Sequence, residues 1–168
     1  MSLLIRTLST EDLPLIMQIQ AACYPAHFNE AAEVFAERIA NYAHSSWLAL
    51  RNTQALGYLF TYPTQLGQVC KLGSGFSTSQ AANCLYLHDM AVLPEAKGQG
   101  IASALLSTAL QYGRQRKLRH SALVAVQNSA TFWQKFGYSI SSLESEQQMN
   151  LLSYGDQAHY LHKIISDD

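Results

Sequence analysis

A strand that leads through a glycine-containing turn into a long amphipathic helix is the feature that most limits how this chain can fold. Residues 85–92 form an apolar run of strand length, and Pro94 ends it because proline cannot continue a strand ladder. From Ile101 to about Lys117, apolar residues recur every three or four positions, which is typical of a helix with one buried face. A buried strand followed by a helix of this length indicates an α/β fold.

The turn between this strand and this helix has small residues at Gly98, Gly100 and Ala102. Small residues let a ligand approach the main chain, and a helix N-terminus presents unpaired N–H groups with about half a positive charge. The turn therefore predicts an anion site that suits a pyrophosphate. It lacks the GxxxxGK[ST] pattern of a nucleotide P-loop and the third glycine of a dinucleotide fingerprint. A tight turn that binds nothing is the alternative interpretation.

The rest of the sequence alternates short strands with helices. Strands are predicted at residues 3–8, 47–50, 56–60, 122–126, 138–143 and 158–165, and further helices at 13–23, 30–42 and 129–136. The four polar residues 51–54 between two predicted strands are expected to form a hairpin turn. Gly137 is expected to stop the last of these helices in a left-handed conformation, and residues 63–83 form a long Gly/Ser-rich link. This order predicts one α/β domain over residues 1–168, with a mixed, mostly antiparallel central sheet and helices on both faces.

Composition and charge exclude several classes of protein. Hydrophobic residues make up 48% of the chain and the net charge is −1, a globular balance without the basic surface that nucleic-acid binding needs. Cys23, Cys70 and Cys84 lack the spacing of a zinc site or a disulfide framework. No signal peptide and no apolar run of about 18 residues is apparent. We expect a soluble cytoplasmic protein with no metal and no nucleic-acid or membrane partner, and leave homodimer formation open.

Two motifs resemble those of the GNAT acetyltransferase superfamily. The first is residues 87–94 (LHDMAVLP) followed by residues 97–102 (KGQGIA), which are similar to the acyl-CoA motif ending in Gln/Arg-x-x-Gly-x-Gly/Ala. Lys97 stands where Gln or Arg is usual in that family. The second motif, residues 128–138 (NSATFWQKFGY), begins 28 residues after Gly100 and resembles Asn-x-x-Ala-x-x-Phe-Tyr-x-Lys-x-Gly-Phe. Two motifs in this order and spacing imply the acyl-CoA N-acyltransferase fold over the whole domain.

The resemblance implies acetyl-CoA as the co-substrate and assigns residues to it. The main chain of Met90, Ala91 and Val92 would pair with the pantetheine arm like an added strand. The amides that would hold the pyrophosphate belong to Lys97, Gly98, Gln99, Gly100, Ile101 and Ala102. The side chain of Asn128 would contact the pantetheine, and a helix cap is the alternative interpretation of this residue.

His88 is the candidate general base. Acetylation needs a neutral amine, and an alkyl amine with a pKa of about 10 is mostly protonated at neutral pH, so a base must take its proton. Histidine suits this task, and strand alternation places His88 on the same face as Tyr86 and Met90. Residues 86–92 also resemble the His-x-His-x-x-Ala-Val pattern of arylalkylamine N-acetyltransferases, with Tyr86 in place of the first histidine. A buried histidine bonded within the sheet is the alternative. Asp89, on the opposite face of the strand, is a competing candidate base, and its preferred interpretation is an ion-pair or capping partner.

The general acid and the acceptor pocket are less well defined. Trp133 occupies the position where many family members carry a tyrosine, and an indole N–H cannot act as an acid. Other phenols could take that role, namely Tyr86, Tyr138, Tyr154 and Tyr160. In this superfamily the link between the first two helices often lines the acceptor pocket, so Tyr24, His27 and Phe28 are candidate acceptor residues, and Trp133 could wall the thioester. Ordinary core and turn positions are the alternative.

The sequence thus predicts an N-acetyltransferase that moves an acetyl group from acetyl-CoA to a primary amine of a small molecule. Acetylation of protein N-termini or lysines is a second interpretation, which would need an open groove. A non-catalytic acyl-CoA-binding module is a third, because the usual tyrosine is missing. The sequence leaves the acceptor amine, the acyl chain length and the pathway open.

Overall fold

The computed structural model describes residues 2–74 and 81–166 of the chain. Within those ranges the strands are β1 (Leu4–Thr7), β2 (Ser46–Arg51), β3 (Gln54–Thr64), β4 (Cys84–Val92), β5 (His120–Ala125), β6 (Ser139–Ile140) and β7 (His159–Ile164). The α-helices are α1 (Leu13–Cys23), α2 (Ala32–Tyr42), α3 (Ile101–Gln115), α4 (Ala130–Gln134) and α5 (Ser145–Leu152).

The strands form one seven-stranded sheet in the order β1-β2-β3-β4-β5-β7-β6. The pairs β1–β2, β2–β3, β5–β7 and β6–β7 are antiparallel, whereas β4 and β5 run parallel, as expected when a helix connects them. The β2–β3 hairpin turns at Asn52 and Thr53, both with positive φ, in the position predicted for a turn. The predicted α/β fold with a mixed, mostly antiparallel sheet is therefore confirmed.

Residue contacts divide the chain into two compact units. The first contains the described residues of 1–61 and 89–112, and the second those of 62–88 and 113–168. In the first unit, α1 and α2 pack on the sheet through buried residues that include Ile16, Phe35, Ile39, Tyr58 and Ala91. Burying a side chain of the size of Phe or Ile contributes roughly 1.5–3 kcal/mol, so this cluster is a main source of stability for the unit. The prediction of one domain over residues 1–168 stays a prediction.

The link between α1 and α2 is held at its end by buried polar side chains. Glu30 receives a bidentate ion pair from Arg38, with both N–O distances 2.6 Å, and the side chain of Gln20 bonds the main chain of Glu30 in both directions. Breaking a buried pair of this kind by removing one partner costs about 3–5 kcal/mol. The segment that precedes Glu30, which contains the candidate acceptor residues, is therefore anchored to both helices.

In the second unit the structure differs from the sequence prediction after Tyr138. The strand predicted at residues 138–143 is only Ser139–Ile140, and the helix α5 at Ser145–Leu152 was not predicted. This helix lacks a side-chain cap and has few apolar residues, so its sequence resembles a polar loop. The predicted link at residues 63–83 is shorter than expected, because β3 continues to Thr64, and residues 75–80 of it lie outside the described residues.

Candidate active site

The turn before α3 is an open, glycine-shaped surface. It starts with a 3-10 turn, Pro94–Ala96, and is anchored by Ala96 and Ile101, each 1% exposed. Gly98 and Gly100 have φ values of 78° and 80°, a conformation that favours glycine. Among residues 2–74 and 81–166, no heavy atom other than those of the glycine and its chain neighbours lies within 4 Å of where a Cβ of either glycine would stand. The main chain between the two buried anchors therefore faces open space, where a ligand can approach it.

The amides at the start of α3 are available for a ligand, with one exception in the preceding turn. Ala104 N–H donates to the carbonyl of Gly100 at 3.0 Å, so Gly100 accepts the first bond of the helix. The amides of residues 101–103 precede that bond and have no partner within the helix. The amide of Lys97, in contrast, donates to the carbonyl of Pro94 at 3.3 Å. This corrects the expectation that the Lys97 amide holds a pyrophosphate, although its exposed side chain can still contribute charge.

Arg51 lies beside this turn, although its position in the sequence predicts only a hairpin. Its guanidinium donates a hydrogen bond to Oε1 of Gln99, whose Nε2 donates to the carbonyl of Glu95 at 3.0 Å. The Gln99 side chain is thus held from two sides. Arg51 brings a permanent positive charge to the turn before α3. Only its place in the hairpin, between an apolar strand and a two-residue turn, was visible in the sequence.

The β4 strand extends beyond its ladder with β5. That ladder pairs Cys84–Leu87 with residues 120–123, whereas β4 continues to Val92. Near the end of β4, the main chain comes very close to Gly57 of β3. A Cβ on Gly57 would stand 2.7 Å from the carbonyl oxygen of Ala91. The end of α1 also binds β4, because the Cys23 thiol donates to the carbonyl of Val92 with a distance of 3.2 Å. The position of the main chain at residues 91–92 is thus fixed by close contact with Gly57 of β3 and by a hydrogen bond from the end of α1.

A half-buried carboxyl and two phenols form a hydrogen-bonded group on the first unit. The hydroxyl of Tyr24 donates at 2.8 Å toward Oδ1 of Asp89, and that of Tyr58 donates at 2.8 Å to Oδ2. Burial, and next the negative charge of Asp89, raise the pKa of both phenols well above the usual range, so both keep their protons. The sequence interpretation of Asp89 as an ion-pair or capping partner missed these bonds.

The candidate acceptor residues differ in how the structure places them. Tyr24 follows α1 and its hydroxyl also lies 2.8 Å from the carbonyl oxygen of Met90 on β4. His27 and Phe28 lie in a 3-10 turn, Ala26–Phe28, with ring centroids 4.3 Å apart; His27 is exposed and Phe28 is half-buried. The structure thus brings Tyr24 to the end of β4, and two further rings follow it closely in sequence.

In the second unit, His88 has a thiol as a neighbour. Nδ1 of His88 lies 3.6 Å from Sγ of Cys70, and its ring centroid is 6.4 Å from that of Tyr86, on the face that strand alternation predicted. Burial raises the pKa of the Cys70 thiol, but His88 and hydrogen bonds from Tyr62 and Tyr154 outweigh it and lower this pKa to about 7. His88 is only half-buried, unlike the tyrosines around it. Sequence spacing gave no signal for this pair.

The second motif places Asn128 in an unusual backbone conformation. Gln127 and Asn128 have φ values of 54° and 59°, a left-handed region that is sparsely populated outside glycine. The N-cap of α4 is Ser129, and no side-chain hydrogen bond caps this helix. The helix-cap interpretation of Asn128 is therefore wrong. The side chain of Asn128 is exposed, and its backbone and that of Gln127 both adopt the left-handed conformation. Backbone strain of this kind is common at ligand sites.

The aromatic candidates in the second unit are core residues. Trp133 is 8% exposed and packs against Phe132, Phe136 and Tyr138 with ring centroids 5.1, 6.4 and 5.7 Å away. The four phenols considered as general acids are all buried: Tyr86, Tyr138, Tyr154 and Tyr160. The hydroxyl of Tyr138 bonds that of Ser121, and Tyr154 donates to the carbonyl of Cys70. These positions favour structural roles.

Comparison with known proteins assigns the chain to a family. A model of the acetyltransferase (GNAT) family matches residues 13–138. The chain belongs to the acetyltransferase (GNAT) family. Members of this family transfer acyl groups from coenzyme A, so the open turn at the start of α3 and the extended end of β4 belong to an acyltransferase. A comparison with curated protein sequences finds no match.

Solved structures share the GNAT fold at low sequence identity. The loading GNATL domain of CurA from Lyngbya majuscula is 14% identical with a TM-score of 0.76, covering 98% of both chains. The ribosomal-protein-S18-alanine N-acetyltransferase from Escherichia coli is 16% identical with a TM-score of 0.71, covering 99% of this chain and 96% of the other. The N-acetylglutamate synthase from Neisseria gonorrhoeae, complexed with coenzyme A and N-acetyl-glutamate, is 16% identical with a TM-score of 0.70, covering 99% and 36%.

Across residues 2–74 and 81–166, no helix has both the length and the apolar character that spanning a bilayer requires. Over the same residues, no three side chains of His, Cys, Asp or Glu come together as a metal site.

Proposed function

We propose that this GNAT protein transfers an acetyl group from acetyl-CoA to a primary amine of a small molecule, by direct attack of the amine in a ternary complex. The observation that carries the proposal is the contact of Tyr24 with both Asp89 and the carbonyl of Met90. It brings the link that is expected to line the acceptor pocket to the strand that is expected to bind the donor.

The residues of the first unit fit the donor. Gly98 and Gly100 leave open space above their main chain, and the amides at the start of α3 face it together with the helix dipole. Arg51 and the side chain of Lys97 add positive charge for a diphosphate. When bound, acetyl-CoA would supply an acetyl group activated as a thioester. The main chain of Met90, Ala91 and Val92 would hold the pantetheine arm along β4, and Asn128 would contact it from the second motif.

The chemistry around Tyr24 fits a cationic amine with an apolar or aromatic body. The carboxylate of Asp89 is only half-buried, and the hydrogen bonds from two phenols stabilise its negative charge. It therefore attracts an ammonium group. The rings of Tyr24, Phe28 and His27 offer apolar and π surface to the rest of the molecule. The resemblance of residues 86–92 to arylalkylamine N-acetyltransferases supports the same class of acceptor.

In this proposal His88 removes the proton from the amine. The residue lies on β4 directly before Asp89 and two positions before Met90, and its ring is half-buried rather than enclosed. A histidine in this place can take a proton at neutral pH and release it again. Proximity to the thioester would then supply most of the rate increase, because both reactants are held in one orientation.

An acceptor panel tests the proposal. Acetyl-CoA is incubated with arylalkylamines, alkylamines, amino acids and short peptides with free N-termini or lysines, and thiol release is measured with the amine product identified by mass spectrometry. Turnover on small amines, highest on arylalkylamines, is expected. Turnover on peptides alone would favour the protein-acetylating interpretation. Stabilisation against heat by CoA without turnover on any acceptor would favour a binding module.

A further inference from the structure

The only thiol of the second unit that contacts an imidazole, among the described residues, is Cys70. Its sulfur lies 3.6 Å from Nδ1 of His88 and 3.7 Å from the hydroxyl of Tyr154, and the residue is 7% exposed. Cys84, the other cysteine of this unit, is fully buried, and burial raises its pKa to about 12. The polar neighbours of Cys70 thus distinguish it from Cys84, whose pKa is shifted by burial alone.

The sulfur of Cys70 has titratable groups on several sides. These are His88 on β4, Tyr62 on β3 and Tyr154 after α5, and Tyr86 on β4 interacts with it electrostatically. Burial above all raises the pKa of Tyr62 well above the usual range, so its phenol keeps its proton and donates to the sulfur. Tyr154 gives its one proton to the carbonyl of Cys70, so Tyr62 and Nδ1–H of His88 are the donors that favour the thiolate.

The helix α5 holds Cys70 in place through bonds to the main chain around it. Gln147 accepts from the amide of Val69 at 2.8 Å, and Asn150 donates to the carbonyl of Val69 at 3.0 Å. Ser153 accepts from the amide of Leu72 at 3.0 Å, and Tyr154 donates to the carbonyl of Cys70 at 2.8 Å. Four residues of α5 and the following turn thus fix the backbone on both sides of the thiol.

We propose that Cys70 is the positioning residue of His88: its sulfur accepts the Nδ1–H of the imidazole and leaves Nε2 as the nitrogen that exchanges protons with substrates. This inference rests on the proposed function of His88 as base. It is the same logic by which a third group orients and stabilises the histidine of a catalytic triad.

The proton balance of this arrangement is simple. The ammonium form of the amine first loses one proton to solvent. As the neutral amine attacks the thioester and the C–N bond forms, a proton of that nitrogen passes to Nε2 of His88, which becomes an imidazolium with both nitrogens protonated. The negative sulfur of Cys70 stabilises that cation through Nδ1–H. Nε2 then returns the proton to the departing sulfur of the donor, so His88 ends neutral and Cys70 is chemically unchanged. A single histidine would thus serve as base and acid, which removes the need for the missing tyrosine at position 133.

The pairing is tested first without substrate. Thiolate absorbance near 240 nm is followed between about pH 5 and 8, where free cysteine is still mostly protonated, as the difference between wild type and Cys70→Ser. The expected result is one titration step with a midpoint near 7 that moves to higher pH by about one unit or more in His88→Ala. A step that does not respond to His88→Ala, or no step in this range, would overturn the proposal.

The second test is the pH profile of kcat/KM on the best amine of the panel. Removing the thiolate disfavours the imidazolium, so Cys70→Ala should shift the acid limb to lower pH and lower the plateau about tenfold. Cys70→Ser should recover part of the plateau, because it keeps an acceptor, but not the position of the limb. Cys84→Ala is the matched control and should leave the limb unchanged.

A packing role for Cys70 predicts a different pattern, namely an equal loss at every pH with the limb unmoved, and that result would refute the proposal. Absence of turnover on every amine would instead count against the proposed function. The absorbance titration would still decide whether Cys70 and His88 are paired.

Discussion

The phenolic oxygen of Tyr24 lies 2.8 Å from Oδ1 of Asp89 and 2.8 Å from the carbonyl oxygen of Met90. A phenol has one proton, so the carboxylate and the carbonyl share it. The position of the Met90 carbonyl is therefore tied to that of the Asp89 carboxylate. The end of α1 is therefore coupled to the donor strand through a single hydroxyl.

Tyr24→Phe should lower kcat/KM about tenfold, because it frees the Met90 carbonyl and takes one donor from Asp89. The ring stays, so the loss of stability should be about 1–2 kcal/mol. Tyr58→Phe is the matched control, since Tyr58 donates to the other oxygen of the same carboxyl. It should cost similar stability and change kcat/KM less than threefold. Equal effects of the two variants on steady-state kinetics would contradict a special role for Tyr24.

His88→Ala should lower kcat about a hundredfold, the size expected for loss of a general base. The dissociation constant for CoA, measured by calorimetry, should stay within about twofold, because the residue is not assigned to the donor. His162→Ala, a partly buried histidine on β7, is the control and should leave both quantities unchanged. A rate that does not vary between about pH 6 and 9 in wild type would exclude His88 as the base.

Gly100→Val should abolish measurable CoA binding, because a side chain at φ 80° strains the turn and fills the space above it. Gly67→Val is the matched control, with φ 92° and no atom within 4 Å of a Cβ. Both variants should lose a similar amount of stability, about 1–2 kcal/mol. Only Gly100→Val should lose the heat of CoA binding; unimpaired binding would remove the support for an anion site at this turn.

Asn128→Gly should weaken CoA binding about fivefold without loss of stability, because glycine accepts the left-handed backbone and removes only the side chain. Gln127→Gly is a close control, since it changes the neighbouring exposed residue with φ 54°. Calorimetry and thermal melts measure both effects. If the two glycine variants bind CoA equally well, the Asn128 side chain has no part in the donor site.

Alkaline unfolding should follow the ionisation of buried tyrosines. Burial is the main cause that raises the pKa of Tyr24, Tyr58, Tyr62, Tyr86, Tyr138 and Tyr160. Unfolded tyrosine releases its proton at about pH 10, while these native residues keep theirs, so the stability they contribute is present below pH 10 and is lost above it. Tyrosinate absorbance at 295 nm should therefore appear together with loss of the circular dichroism signal. Full ionisation with an intact spectrum would contradict this.

The parts of the structure that the sequence predicted depend on local signals. The turn and helix after β4 follow from Pro94, two glycines and a period of 3.6, and the hairpin follows from four polar residues between apolar runs. Gly137 has the predicted left-handed conformation, with φ 90°. Each of these features is encoded within about ten consecutive residues.

The parts that could not be predicted depend on contacts between distant residues. Tyr24 and Asp89 are 65 positions apart, and Cys70 and His88 are 18 positions apart on segments with no shared pattern. The position of Arg51 beside the turn before α3 likewise depends on how the β2–β3 hairpin packs, which its own sequence does not show. Helix α5 was not predicted because packing, and not helix propensity, stabilises a helix of 8 mostly polar residues.

Four bonds from α5 and its following turn to residues 69–72 end on main-chain atoms, which every amino acid except proline provides in full. The backbone conformation of residues 69–72 is therefore determined by four side chains outside the segment and not by those of the segment itself. These four belong to Gln147, Asn150, Ser153 and Tyr154. Val69 or Leu72 could drift in evolution while the thiol kept its place. A change in the polar face of the helix would move the thiol even if its own neighbours stayed the same.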